Sequence, residues 1–312
     1  MLRFLAGRLA GLAFTLWAAS LAIYLSLYLA PGSPEQVLFG SRPPTPEVRA
    51  HIRAHLGLDE NVIVRYLHWL GHVVTGDLGT SLITRQPVAD RLGAPATVTF
   101  TLIAYAGVLI LVGGVGSGLL AAMRPGWLDA ATTTATSIAT AVPAFVASGL
   151  LIAVFAVGLG WFPSYGLGDG GTLRGLTLPA VALAVTASGL LSRVTRDAAR
   201  TQLRSEHVVT ARVRGISTRR LIRSHVLRNA AAPITTAAGL QLAGLITGAV
   251  VVEQAFGLHG LGELLVSSVQ QKDFTTVQAV ALIVAATFLV LNLAADVTTR
   301  LLDPRIRTGV PR

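Results

Sequence analysis

Residues 193–228 read RVTRDAARTQLRSEHVVTARVRGISTRRLIRSHVLR, with ten arginines and two acids, Asp197 and Glu206. Ten positive charges against two negative leave +8, out of +10 for the whole 312-residue chain. A basic run of this kind suits nucleic acid, an acidic lipid surface or a cytoplasmic loop. Its flanks decide among them. The chain is 52% hydrophobic and 13% charged, whereas soluble domains carry about 25% charged residues. Six stretches, 9–30, 97–122, 131–157, 175–193, 232–252 and 277–299, each approach the roughly 20 apolar residues that cross a bilayer as a helix. The arginines therefore belong to a cytoplasmic loop between spans four and five, rather than to a nucleic-acid or lipid-headgroup surface. The expected fold is all-α and polytopic.

Orientation follows from the same arginines. With six spans both termini share the side of the 193–228 loop, and Arg3, Arg8, Arg300, Arg305, Arg307 and Arg312 agree with it. Segment 31–96 falls opposite and balances six arginines with six acids. The positive-inside rule then places both termini and the basic loop in the cytoplasm. The first apolar run is longer than a signal-peptide core and ends in Ala30-Pro31-Gly32, so it reads as a retained helix. Segment 31–96 reads as a small external subdomain. It has a capped amphipathic helix over 45–56 and a second over 61–74, with Val64, Leu67, Trp69, Leu70 and Val73 on its apolar side. A turn follows at Gly76-Asp77-Leu78-Gly79. Gly114 and Gly118 are spaced for helix contact, and Pro143 is placed to kink the third span.

Several chemistries are excluded. The chain has no cysteine, and its single lysine, Lys272, precedes Asp273, so the Gly-Lys-Ser/Thr ending of a phosphate loop is absent. Any ATPase is a separate polypeptide. The centres of all six spans carry no charge, which argues against ion coupling. His51 with His55, and His68 with His72, have i,i+4 spacing but lack a metalloprotease glutamate, and solvated histidines explain them. No catalytic constellation, metal site or cofactor is expected. A receptor or scaffold of similar topology is the alternative to transport.

Within the basic loop, Gly215 ends a first short helix and Ser217 caps a second, whose Leu221, Ile222, His225 and Val226 share a face. Two short helices, apolar on one side and basic on the other, suit docking to a cytoplasmic partner.

This loop resembles the cytoplasmic EAA loop of bacterial binding-protein-dependent ABC permeases, in the form of the dipeptide/oligopeptide/nickel family. The resemblance rests on Thr210-Ala211-Arg212, Gly215, the arginine-rich stretch, His225, Leu227-Arg228-Asn229 and Pro233. Val209 stands where the motif's usual glutamate would be. Similar matches run through Arg8, Ala30-Pro31-Gly32-Ser33-Pro34, Leu56-Gly57-Leu58-Asp59, Tyr66, Trp69, the 76–81 turn and Pro87-Val88. They continue through Glu253, Phe256-Gly257, Gly260-Leu261-Gly262, Asp273-Phe274, Asp296 and Leu302-Asp303-Pro304-Arg305. Ser33 replaces the family's aspartate, and His259 a frequent proline.

The resemblance implies a type I importer permease fold with three parts. Residues 1–94 hold the first span and external subdomain, 95–302 the permease core and 303–312 a cytoplasmic tail. It also implies a second permease, two ATPase domains or subunits and an external solute-binding protein. The ATPase-coupling residues would be Glu206, Thr210, Ala211, Arg212, Gly215, Ser217, Arg219, Arg220, His225, Arg228, Asn229 and Pro233, with Gly215 a hinge between coupling helices. Di- or oligopeptides are the expected solutes. Nickel, other metal chelates, glutathione and haem are the alternatives.

Overall fold

The structure, a computed structural model, describes residues 2–29, 61–168 and 170–302. The expected 45–56 helix, the 31–34 turn and the 303–312 tail lie outside the described residues. The described residues form eleven α-helices and one isolated bridge, Thr80 to Pro87. Contacts divide the chain into two units, residues 1–98 with 259–287 and residues 99–258 with 288–312.

In the first unit, α1 (Leu2–Leu29) contains the apolar stretch Ala6–Ser26. Helix α2 (Val62–Val74) starts at Asn61, whose side chain accepts the Ile63 N–H at 2.9 Å and satisfies one orphan donor of the first turn. Tyr66 of α2 is buried against α1, its hydroxyl 2.8 Å from Ser20 Oγ and its ring 5.5 Å from Tyr24. Trp69, Leu70 and Val73 join Tyr66 on the inner face, whereas Val64 and Leu67 are exposed. The buried stripe is therefore rotated from the one expected, because tyrosine brings both ring area and a hydroxyl with a partner.

A tight turn follows α2. The Asp77 carboxylate accepts the Gly79 N–H at 2.9 Å, and Val88 N–H reaches back to the Gly79 carbonyl at 2.9 Å. Helices α3 (Val88–Met123), α10 (Leu261–Gln270) and α11 (Phe274–Leu302) bury Val88, Leu92, Leu261, Ala279 and Val280 together in this unit. Asp273, just before α11 and 1% exposed, holds the turn. It accepts from Ser81 Oγ at 2.5 Å, Leu82 N at 3.1 Å, Thr276 Oγ1 at 2.7 Å and Arg91 Nη1 at 3.3 Å.

The second unit is built around α6 (Thr172–Leu203), the most buried of the long apolar helices, which packs on α4 (Trp127–Ala141), α5 (Ala144–Leu151) and α9 (Arg228–Phe256). A π-helical stretch, Ile152–Gly158, extends α5. On α3, a Cβ at Gly114 would sit 2.9 Å from Leu191 Cβ, and one at Gly118 would meet the Ser192 carbonyl oxygen. The glycine pair thus does the packing work its spacing suggests. Glu253 of α9 is fully buried and accepts from Thr99 Oγ1 at 2.6 Å.

Among the described residues, five helices are long and apolar enough to cross a membrane, and the α4–α5 pair makes a sixth if counted as one span. The pair bends by 104° at Val142-Pro143, so the third expected span is broken rather than gently kinked. Proline cannot continue the helical ladder, and the residue before it is driven to extended backbone; Val142 has φ −84° and ψ 117°.

Candidate coupling loop

Helix α6 ends at Arg204, and Ser205 turns the chain with φ −75° and ψ 146° into α7 (Glu206–Val213). Glu206 occupies the first turn and Arg212 the last, each with the sign that the helix dipole favours. At the end of α7, Gly215 adopts φ +75°. Its N–H reaches the Arg212 carbonyl at 3.0 Å, and Ile216 N–H reaches the Ala211 carbonyl at 3.2 Å. Those two bonds form a Schellman stop. Ile216 packs on the same apolar cluster as Ala211, the hydrophobic contact that accompanies the motif.

The next segment differs from expectation. Helix α8 (Thr218–Leu221) is followed by a π-helical stretch, Ile222–Leu227, and then directly by α9, giving 39 continuous helical residues over Thr218–Phe256. The second short helix expected in the loop is thus the N-terminal part of the Thr218–Phe256 stretch, not a separate element. Pro233, the last residue of the motif and inside the expected 232–252 span, lies inside α9. The π turns just before it keep the chain helical up to a residue that lacks an N–H of its own. Ser217 stands at the N-cap position and its carbonyl accepts the Leu221 N–H at 2.9 Å, but its side chain makes no capping bond.

The apolar face of the loop is internal. Val208, Ala211, Leu221 and Val226 are buried with Ala122 of α3 and Ala199 of α6, and Leu119, Leu203 and Ile216 cover the cluster. At about 25 cal/mol per Å² of apolar surface removed from water, this cluster fastens α7 to the ends of three long helices. Polar contacts add to it. Asn229 Nδ2 donates to the His225 carbonyl at 2.8 Å and lies 3.2 Å from His207 Nε2. Beside the loop, Asp129 at the start of α4 binds Arg196 at 2.6 and 3.0 Å and Arg200 at 2.7 Å, joining α4 to the lower part of α6.

The predicted residues divide between two faces. Ala211 is buried and His225 half-buried, while Glu206, Thr210, Arg212, Gly215, Ser217, Arg219, Arg220, Arg228, Asn229 and Pro233 are exposed. Val209 and Val213, one turn apart on the outer face of α7, are 52% and 83% exposed. Among the described residues, no acid pairs with Arg212, Arg214, Arg219, Arg220, Arg223 or Arg228. Sequence reasoning passed over Val209, Val213, His207 and the Asp129 group. The valine spacing of four could have flagged the first pair, whereas nothing local joins Asp129 to arginines 67 and 71 positions later.

The sequence profile described as binding-protein-dependent transport system inner membrane component matches residues 114–308, and that of the family's N-terminal region matches residues 1–100. The chain belongs to this permease family. It is 34% identical over 308 residues to the glutathione transport system permease protein GsiC of Escherichia coli, covering 98% of this chain and 99% of that protein. The GsiC protein of Salmonella typhi is 33% identical over the same shares. Among solved structures, one inward-facing form of the MetNI methionine ABC transporter superposes with TM-score 0.58 at 21% identity, over 70% of this chain and 98% of that one. A second form gives 0.56 at 20% identity, over 66% and 94%. These share the fold, that of a type I ABC importer permease. The protein is accordingly a multi-pass permease subunit of a bacterial ABC importer rather than a catalytic enzyme.

His72 Nδ1 lies 3.1 Å from the Asp77 carboxylate. His51 and His55 lie outside the described residues.

Proposed function

We propose that this permease forms, with a second permease, the path by which small peptides cross the cytoplasmic membrane. ATP hydrolysis occurs in separate ATPase subunits, and an external binding protein delivers solute. The observation that carries the coupling role is the two-faced loop: its inner face is fastened to three long helices, and its outer face presents Val209, Val213 and unpaired arginines. A partner that seats α7 in an apolar groove with an acidic rim gains both area and charge complementarity. Movement of that partner then reaches α3, α6 and α9 through the buried cluster without slack. Both termini and the loop face the cytoplasm, as the arginine distribution favours. Residues 1–94 form the first span and external subdomain, and 95–302 the core.

Peptide is the favoured solute class because similarity to permeases named for glutathione, itself a tripeptide, extends over 98% of the chain. The test is uptake of labelled di- and tripeptides by the full complex in proteoliposomes. Saturable, ATP-dependent uptake that requires the binding protein supports the reading. Uptake of metal chelates with no peptide competition overturns the solute class. Gly215→Asp places a Cβ at φ +75°, so uptake falls to background while the subunit stays in the membrane. Normal uptake by that variant defeats the coupling role of the loop.

A further inference from the structure

The break at Val142-Pro143 lies in a chain that crosses a membrane, where an unsatisfied backbone group costs several kcal/mol. Irregular backbone persists at such depth only where protein buries it or where it borders a water-filled cavity. Here a side chain covers the break and a cavity borders it. Thr186 Oγ1 of α6 donates to the Val142 carbonyl at 2.8 Å, which satisfies the group that the break frees. Beside it lies a cavity of about 210 Å³ lined by Ala144, Leu183, Thr186, Ala187, Gln241, Gly244, Leu245 and Gly248. Ala144 is the first residue beyond the break.

The lining has two polar side chains among aliphatic and small ones. Gln241 stands near the middle of α9, where a carboxamide is expensive unless it has a partner or a task. Its Nε2 donates to the Ala187 carbonyl at 3.1 Å, which engages one of its two hydrogens and leaves Oε1 without a partner among the described residues. A primary carboxamide in that state offers one donor and one acceptor side by side, the complement of a peptide bond's C=O and N–H. The Thr186 hydroxyl, having donated its hydrogen to Val142, retains acceptor capacity only. Gly244 meets the opposite need: a Cβ added there finds no atom within 4 Å, so the backbone does not require glycine by contact. Its φ lies in the ordinary helical range, since it is absent from the positive-φ glycines. What glycine leaves at 244 is open space facing the cavity.

We infer that this cavity is half of a solute site on the translocation path, in which Gln241 and Thr186 bind a peptide unit and Gly244 sets how large a residue passes. The inference rests on the importer reading above. A volume of 210 Å³ falls below the roughly 300–1,000 Å³ of complete ligand pockets, as expected if a second permease supplies the facing wall. Such a half-site holds one or two residues of a peptide at a time. The preference it imposes is for amide-bearing solutes over rigid chelates of the same bulk.

The experiment uses the complete importer in proteoliposomes with Gly244→Ala, Gly244→Val and Gly244→Leu. Membrane level and co-purification of the partner subunits stay near those of the unmodified complex. Uptake falls with side-chain size, and tripeptide uptake is lost before dipeptide uptake, reaching background with leucine. Unchanged uptake by the leucine variant with intact assembly overturns the inference. Absence of ATP-dependent peptide uptake by the unmodified complex instead overturns the peptide-path reading, so the two failures are distinct. Because the chain has no cysteine, Gly244→Cys gives this subunit a single thiol, read on the separated subunit, and decides the matter where the leucine variant does not assemble. Its labelling by a water-soluble thiosulfonate during ATP turnover, slowed by added peptide, supports the site; a thiol that never reacts, or reacts regardless of peptide, overturns it. Gln241→Leu raises the peptide concentration for half-maximal uptake with assembly intact; an unchanged value rejects the peptide-unit contact.

Discussion

The turn at residues 76–88 folds around a buried carboxylate, whereas the basic loop at 205–229 folds around aliphatic side chains. In the turn, the Asp273 side chain gathers Ser81, the Leu82 amide, Thr276 and Arg91, so the strongest polar groups point inward. In the loop the arrangement is reversed: Val208, Ala211, Leu221 and Val226 lie inside and the arginines outside. The difference separates two ways of ordering non-membranous chain. A carboxylate network fixes one geometry, since each hydrogen bond has a direction and an unpaired buried group is costly. An apolar patch is less directional, fastens helices together, and leaves every charge free to meet a partner. The first suits a segment that must hold its shape, and the second suits a lever with a contact surface.

The largest expected effect tests the turn. Asp273→Ala leaves Ser81 and Thr276 without their buried acceptor and Arg91 without its counter-charge, which costs about 3–5 kcal/mol. A lowered melting temperature in detergent and rapid tryptic cleavage at Arg85 are the expected signs; a trypsin-resistant Asp273→Ala protein would show that the turn is ordered by something else. Next is the inner face of the loop. Val226→Ala removes a fully buried side chain and destabilises by about 2 kcal/mol through lost transfer energy and the remaining cavity, read as a lower melting temperature of the purified subunit.

Val213→Ala sharpens the contrast from the outer face. That side chain is 83% exposed, so thermal stability stays within about 0.5 kcal/mol, while affinity for the ATPase falls about tenfold if the valine is buried there. Equal loss of stability at 213 and 226 would abolish the distinction between faces. The smallest effect belongs to Ser217→Ala. A capping serine is worth about 1 kcal/mol, but this one makes no side-chain cap bond, and a change within about 0.5 kcal/mol is expected in denaturant or thermal titration.

Much of the loop was legible because its signals are local. Glycine at 215 marks a stop since positive φ is cheap only without a Cβ, and the stop is there. The 221, 222, 225 and 226 face was visible in the spacing, and Leu221 and Val226 are buried as that spacing requires. The continuity of Thr218–Phe256 was not visible, because Pro233 reads as a boundary by local propensity. Packing overrides that propensity: Ala230 and Ile234, on either side of the proline, are both buried, so the helix that carries them stays whole. On α2, apolar character alone could not choose between Leu67 and Tyr66 as the buried residue; the Ser20 hydroxyl and the Tyr24 ring on α1 decide it.

By itself, the sequence determined which segments are apolar enough to enter lipid, which loop carries the positive charge and where α7 stops. Each of these depends on transfer energies or backbone freedom summed over neighbouring residues. Only the tertiary structure decided that Asp129 faces Arg196 and Arg200, that Asp273 gathers Ser81 and Arg91, and that Thr186 satisfies the carbonyl at the Val142 break. Those partners stand 44 to 192 positions apart, and a hydrogen bond depends on where folding brings two groups in space, which no local pattern records.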